Sequence, residues 1–410
     1  MPEFFNVLTP AEARATLETR LTALVGTERI DPRKGLGRVV AETLCAPSSL
    51  PAFSRSTMDG YAVRAHDTYG ASEALPAYLT IHGEVSMGQA ARLSIGPGEA
   101  AKVHTGSALP EGADAVVMLE NTQLVDESTM EILRPVAPGE NMLNEGDDVK
   151  AGAVLLEAGR CLRPQDIGGL MALGILEASV FLRPRVAILS TGDEVVPPER
   201  EPQTGQVRDV NTYTISALSV QAGAIPLPLG IAPDSYEQMS GMARRGLADS
   251  EVLVISAGSS VSARDMTSRV IASLGEPGVL AHGVSLRPGK PAIVALIDGK
   301  PVFGLPGNPV SAMVVFDLLV RPAIHRVGGC VQPRTPVLLA ARLTHNIPST
   351  TGREDYVPVR IEEGDGETWA EPIFGESNLI TTMIQADGLA RIPLDKHGLS
   401  AGETVSVRLF

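Results

Sequence analysis

The chain has 410 residues, a formal net charge of −14, 41 glycines and 31 prolines, with aromatics at only 4% and Trp369 as the sole tryptophan. That length exceeds what one hydrophobic core usually supports, so two to four domains are expected, built as rigid sheets joined by many turns. The acidic balance, with no basic run, excludes a general nucleic-acid or membrane-surface binder, because affinity for phosphate backbones comes from clustered Lys and Arg.

The first residues show no basic n-region ahead of an apolar core, which argues against export. Thr9-Pro10-Ala11-Glu12 reads as a capping box that opens a helix to about Val25. From about Cys45 to Gly146 the pattern changes to short β-branched runs between Gly and Pro, including 77–82 and 113–118, as a β-rich inserted domain requires. Residues 149–156 continue as strand, and Pro164 opens a short helix ending near Gly174. Between Arg185 and about Gly329, near-continuous apolar strands at 185–190, 251–256, 292–297 and 301–303 alternate with helices at 213–222, 235–246, 265–274 and 309–327. That alternation predicts a parallel-type sheet covered on both faces. Short strands return at 337–343, 356–361, 388–392 and 404–409, fitting a small antiparallel β-barrel. The expected architecture is therefore α/β and multidomain. Residues 7–21 plus 179–332 form the central α/β domain, 45–146 the β-rich insert, 22–44 plus 147–178 a discontinuous linking domain, and 333–410 the C-terminal barrel.

Cys45, Cys161 and Cys330 are odd in number, far apart and without a C-x-x-C pair, so neither a disulfide framework nor structural zinc is encoded and a cytoplasmic location is expected. No apolar run approaches the ~20 residues of a membrane span.

In open α/β sheets ligands bind beyond the carboxyl ends of the strands, which directs attention to the loops there. Ser190-Thr191-Gly192-Asp193-Glu194 places two adjacent carboxylates after a buried strand, suited to Mg²⁺ shared with phosphates or, more plainly, to a solvated helix cap. In the loop 256–265 small residues let backbone amides approach a ligand, although a simple turn has the same look. Leu286-Arg287-Pro288-Gly289-Lys290-Pro291 presents two cations on a stiff turn, an oxyanion binder or a solvated basic pair. In Gly304-Leu305-Pro306-Gly307-Asn308-Pro309, Asn308 suits an N-cap and Pro309 the first helical position, leaving first-turn amides to cradle an anion. All four fall at one edge of one domain, and together they favour a phosphate–Mg²⁺ site. The seven histidines are scattered, with no Ser/His/Asp or Cys/His arrangement that would support a side-chain nucleophile.

Four motifs in order make the chain resemble the MoeA/gephyrin E-domain family, the molybdopterin molybdenumtransferases, over essentially its whole length. Two are G-L-P-G-N-P-V-S-A at 304–312 and S-T-G-D-E at 190–194. The others are Ser56-Thr57-Met58-Asp59-Gly60-Tyr61-Ala62, and Thr105-Gly106 followed by Pro110-Glu111-Gly112-Ala113-Asp114-Ala115-Val116-Val117. The resemblance implies that the central domain is of the molybdopterin-binding type. It implies an enzyme that takes adenylylated molybdopterin and molybdate as substrates and cleaves the phosphoanhydride with Mg²⁺, releasing AMP as the metal enters the dithiolene. By position in the motifs, Asp59, Thr105, Asp265 and Lys290 are carried over as catalytic, and Asp193, Glu194 and Asp234 as the Mg²⁺ environment. Gly258, Ser260, Arg287, Pro291, Pro306, Gly307, Asn308, Pro309, Arg353 and Ser377 are carried over as substrate-binding. The resemblance also implies a homodimer whose site is shared between subunits, with molybdopterin adenylyltransferase and apo-molybdoenzymes as further partners. One departure stands out, because the family loop G-G-V-S-V-G-x-x-D has lost two glycines here, to Ala257 and Ser262. A Cβ at a position with φ > 0 costs of order 1 kcal/mol. Rival readings are a molybdopterin adenylyltransferase, which shares the α/β domain but not the insert and barrel, and a scaffold or degenerate paralogue. Molybdate and tungstate, tetrahedral dianions of nearly equal size, are not separated by the sequence.

Overall fold

The capping box forms as expected: Thr9 Oγ1 accepts from the Glu12 N–H and the Glu12 carboxylate accepts from the Thr9 N–H at 2.8 Å, opening the helix Pro10–Glu18. The helix stops at Glu18 instead of reaching Val25, because the Thr16 and Thr19 hydroxyls turn back onto the Glu12 and Ala15 carbonyls and Thr19 closes the turn. The structure is a computed structural model that describes residues 7–258, 261–333, 335–364 and 366–410, with 261–264 by backbone alone. It divides into two compact units, one of Met1–Glu42, Ala158–Pro164 and Glu177–Phe410, the other of Thr43–Glu157 and Gln165–Leu176.

The larger unit holds a six-stranded sheet in the order Ile225–Ala232, Arg185–Thr191, Val252–Ala257, Lys300–Pro306, Ile293–Ile297, Pro277–His282. Alternate residues of its strands enter two separate cores, Ile188 and Val254 on one face, Leu189 and Ile255 on the other, which is why these strands read as continuous apolar runs. The first four strands are parallel, but the last two are antiparallel. Asp298 and Gly299, with φ of 50° and 83°, make a two-residue turn between Ile297 and Lys300, and such a turn closes a hairpin. The sheet is thus parallel only across its first four strands.

The long helix expected over 309–327 is present in three parts, α-helical at Pro309–Val315 and Arg321–Val327 and π-helical at Phe316–Val320. Pro322 explains the break, since it lacks the N–H for an i→i−4 bond and its ring crowds the carbonyl one turn back. A closed barrel of five strands follows, running Leu338–Leu343, Thr404–Leu409, Gly388–Ile392, Glu354–Gly364 and Glu367–Pro372, then back to the first. Its closing pair, Arg342 against Trp369, is parallel, so the barrel is not wholly antiparallel.

The smaller unit is built on a six-stranded sheet in the order Ala115–Met118, Gly60–Val63, Glu99–Val103, Ala77–Val85, Thr129–Ile132, Thr122–Leu124. Tyr61, Val63, Leu79, Val117, Met130 and Ile132 form its core. Among the described residues no helix is long and apolar enough to cross a membrane.

Candidate functional site

Beyond the carboxyl ends of Val252–Ala257 and Lys300–Pro306 lies a cavity of about 690 Å³, walled on its far side by the barrel. Its floor is the close approach of two loops. A Cβ on Gly307 would stand 2.8 Å from the Ala257 carbonyl oxygen and 3.2 Å from Gly258 Cα, so only glycine lets the backbones meet. Asn211, at the start of the helix Asn211–Gln221, ties this floor together by donating from Nδ2 to Ser256 Oγ at 2.7 Å and to the Gly307 carbonyl at 2.8 Å.

The cationic turn forms one wall. Arg287 and Lys290 are exposed at its lip, while Gly289 holds φ of 120° with no room for a side chain, since a Cβ would meet Val315 Cγ2 at 2.5 Å. Arg353 meets the turn at a shared carboxylate, its Nε donating to Asp355 Oδ1 at 2.9 Å while Arg287 lies 3.8 Å from Asp355 Oδ2. Three cations and two carboxylates, Asp355 and Glu376, therefore line a cavity in a protein of net charge −14.

Eight of the sequence-derived candidates border this cavity: Gly258, Arg287, Lys290 and Pro291 from the α/β loops, Pro306 and Asn308 from the strand-to-helix turn, and Arg353 and Ser377 from the barrel region. Gly307 and Pro309 flank Asn308 directly. The anion cradle expected at that turn is already occupied. Asn308 makes no capping bond and donates instead from Nδ2 to Ser377 Oγ at 2.8 Å, and the Val310 amide is taken by the Ser377 carbonyl at 3.1 Å. The segment holding Ser377 thus crosses the helix start, and the positive groups that face the cavity are the guanidiniums and Lys290.

Asp193, Glu194, Asp234 and Asp265 do not line the cavity. Asp234 donates its N–H to Asp193 Oδ1 at 3.1 Å, and partial burial together with the charges of Asp193 and Glu194 raises the Asp234 carboxyl above its ordinary range. Carboxylates that crowd one another in this way suit a hard dication. Among the described residues, however, no three His, Cys, Asp or Glu side chains converge to hold a metal. The set fits Mg²⁺ only as an ion completed by phosphate oxygens and water, its usual habit. Asp265 is exposed on the helix Val261–Ala272. Ser260 lies outside the described residues.

In the smaller unit, Asp59 and Thr105 come together as the motifs suggest. Thr105 donates both its N–H, at 2.8 Å, and its hydroxyl, at 3.2 Å, to Asp59 Oδ1. The Thr105 amide foremost holds the Asp59 carboxyl below its ordinary range. His104, which no motif singles out, bridges this pair to Glu84, with Nε2 2.7 Å from Glu84 Oε1 and Nδ1 3.9 Å from Asp59 Oδ1. Asp355 and Asn211 likewise escape sequence reasoning. Asp355 is set beside Arg287 by the pairing of Leu286–Arg287 with Glu354–Asp355, which no local sequence signal reveals.

Three family models cover the chain in order: the MoeA N-terminal region (domain I and II) at residues 8–174, the probable molybdopterin binding domain at 187–326, and the MoeA C-terminal region (domain IV) at 340–410. A molybdopterin molybdenumtransferase from Nostoc sp. is 33% identical over 396 residues, covering 95% of this chain and 90% of the relative. The chain belongs to the molybdopterin molybdenumtransferase (MoeA) family. A second relative of that name, from Haemophilus influenzae, is 31% identical over 98% of this chain and 99% of its own length. The crystal structure of the molybdopterin biosynthesis MoeA protein from Pyrococcus horikoshii OT3 superposes with a TM-score of 0.85 at 31% identity, over 99% of this chain and all of that one. As a MoeA-family enzyme of molybdenum cofactor biosynthesis, the chain carries its cationic cavity between the region matching the molybdopterin binding domain and the region matching domain IV.

Proposed function

We propose that this chain inserts molybdate into adenylylated molybdopterin, with Mg²⁺-dependent cleavage of the phosphoanhydride and release of AMP. The observation that carries the reading is the cavity in which Arg287, Lys290 and Arg353 gather in an otherwise acidic protein. Local cations in a low-dielectric cleft select an anionic ligand against the overall charge. Arg353, anchored to Asp355 by one edge, offers the rest of its guanidinium to a tetrahedral oxyanion, Lys290 a point charge to a phosphate, and the Gly258 and Pro306 loops a backbone surface that a flat ring system can approach. Asp193, Glu194 and Asp234 would hold Mg²⁺, whose charge would offset that of the phosphoanhydride.

The reading includes a homodimer in which Asp59 and Thr105 of one subunit complete the cavity of the other. The family resemblance supports it, as does the Thr105 clamp that fixes the Asp59 carboxylate in its ionised form. We assign the activity to the cytoplasm, between a molybdopterin adenylyltransferase that supplies the substrate and apo-molybdoenzymes that receive the product. The deciding experiment measures AMP release from adenylylated molybdopterin with molybdate or tungstate, with and without Mg²⁺. AMP release that needs both an oxyanion and Mg²⁺ is expected. Its absence from folded protein would favour a scaffold, and formation of adenylylated pterin from ATP instead would identify an adenylyltransferase.

A further inference from the structure

Asp355 is the most deeply buried charge at the cavity, 2% exposed. A carboxylate so placed is costly unless cations and hydrogen bonds surround it. It has two partners, held very differently. Arg353 grips it as a fork, Nε to Oδ1 at 2.9 Å and a terminal nitrogen to Oδ2 at 3.4 Å. Arg287 is looser, its guanidinium 3.8 Å from Asp355 Oδ2, beyond hydrogen-bonding reach, with its side chain 62% exposed against 34% for Arg353.

The backbone makes this arrangement obligatory. Leu286–Arg287 pairs in parallel with Glu354–Asp355, so Arg287 stands directly beside Asp355, and the Glu354 N–H donates to the Ser285 carbonyl at 2.9 Å. Alternation along the same strand sends Glu354 to the other side, where it accepts from Arg391 at 2.7 Å and from the Tyr356 hydroxyl at 2.8 Å. Asp355 is therefore committed to the cavity side.

Resting on the reading of this cavity as an oxyanion site, we propose that Asp355 is its positioning residue: it locks Arg353 in place and lends Arg287 a temporary partner that an incoming tetrahedral oxyanion replaces. Arg353 is then a fixed donor, while Arg287 swings from Asp355 to the bound anion. Asp355 itself touches no substrate. Its effect runs opposite to its charge, because a carboxylate beside an anion site should weaken binding by repulsion, whereas a carboxylate that aims the donors strengthens it.

That opposition gives the test: calorimetric titration of the full chain with molybdate alone, alongside thermal melting. Asp355→Asn is expected to weaken molybdate binding about tenfold although it removes a negative charge. Arg353→Lys, which keeps the charge and loses the fork, is expected to weaken it similarly, and the double variant no further. Arg287→Gln should weaken binding while leaving the melting temperature of the unliganded protein unchanged. Equal or tighter binding by Asp355→Asn overturns the proposal while leaving the oxyanion site standing, and failure of the wild-type chain to bind molybdate overturns both. If Asp355→Asn does not fold, Arg353→Lys decides, and unchanged affinity in that variant overturns the proposal.

Discussion

Ala257 stands where the family has glycine, and Ala257→Gly tests whether its methyl group obstructs the ligand. The residue ends the strand Val252–Ala257, paired with Pro306, and is 4% exposed. Among the described non-glycine residues only Asn141 and Asp298 have φ in the left-handed region, so Ala257 stores no backbone strain for glycine to relieve. The substitution removes one buried methyl, about 0.8 kcal/mol, and adds backbone entropy to the unfolded chain, about 0.5–1 kcal/mol. Stability should fall by roughly 1–2 kcal/mol, a decrease of a few degrees in Tm for a domain of this size. Affinity for adenylylated molybdopterin, titrated calorimetrically with molybdate omitted to block turnover, should change by no more than about tenfold, or about 1.4 kcal/mol. Tightening by orders of magnitude would refute this reasoning and mark the native loop as a decayed site. Ser262, the second lost glycine, lies in the first turn of the helix Val261–Ala272, where the right-handed backbone does not need glycine's access to positive φ.

Three further outcomes follow from the geometry. Burial, reinforced by Arg321 and opposed by Asp317, holds His325 down to about 4, so its neutral form contributes stability that is complete above pH 6.5 and lost as pH falls toward 4. His325→Gln should flatten that part of the stability–pH curve, by at most roughly 3 kcal/mol at the acid end, in urea unfolding at several pH values; an unchanged slope would exclude the assignment. Single replacements Asp193→Asn, Glu194→Gln and Asp234→Asn should raise the Mg²⁺ concentration needed for AMP release, and unchanged Mg²⁺ dependence in all three would leave them as solvated loop acids. Mixed dimers of Asp59→Asn and Asp265→Asn subunits should regain about half the normal complement of active sites if the site is shared, and no recovery would show that it is not.

The parallel half of the sheet is legible because strands buried on both faces are apolar throughout: the runs 185–190 and 251–256 lie within a residue or so of Arg185–Thr191 and Val252–Ala257. The hairpin carries an equally local signal, Asp-Gly between two apolar runs, but an alternating α/β pattern favours crossing strands and masks it. The strand Glu367–Pro372 escapes because three of its six residues are only half-buried and its sequence, Glu-Thr-Trp-Ala-Glu-Pro, shows little alternation. At the site, motifs locate the loops because glycine and proline requirements are local. Asp355 is invisible for the opposite reason: its meaning comes from a pairing register with Arg287 that only the assembled chain supplies. The same holds for Ser377, carried over only as a substrate-binding residue, whose contact with the helix start at Asn308 and Val310 depends on the assembled chain.

The two-residue parallel pair between the cationic turn and the barrel's longest strand has a consequence for modular evolution. A barrel joined only by its linker is an appendage that recombination can add or remove at the cost of a loop. Here the bond pattern makes one wall of the cationic cavity from each module, and Arg287 has its carboxylate only while both are present. An α/β domain of this kind circulating alone, with the same loops, would open its cations to water and need another device to orient them. The barrel thus supplies part of a cavity whose other part belongs to the α/β domain, and neither encloses that space alone.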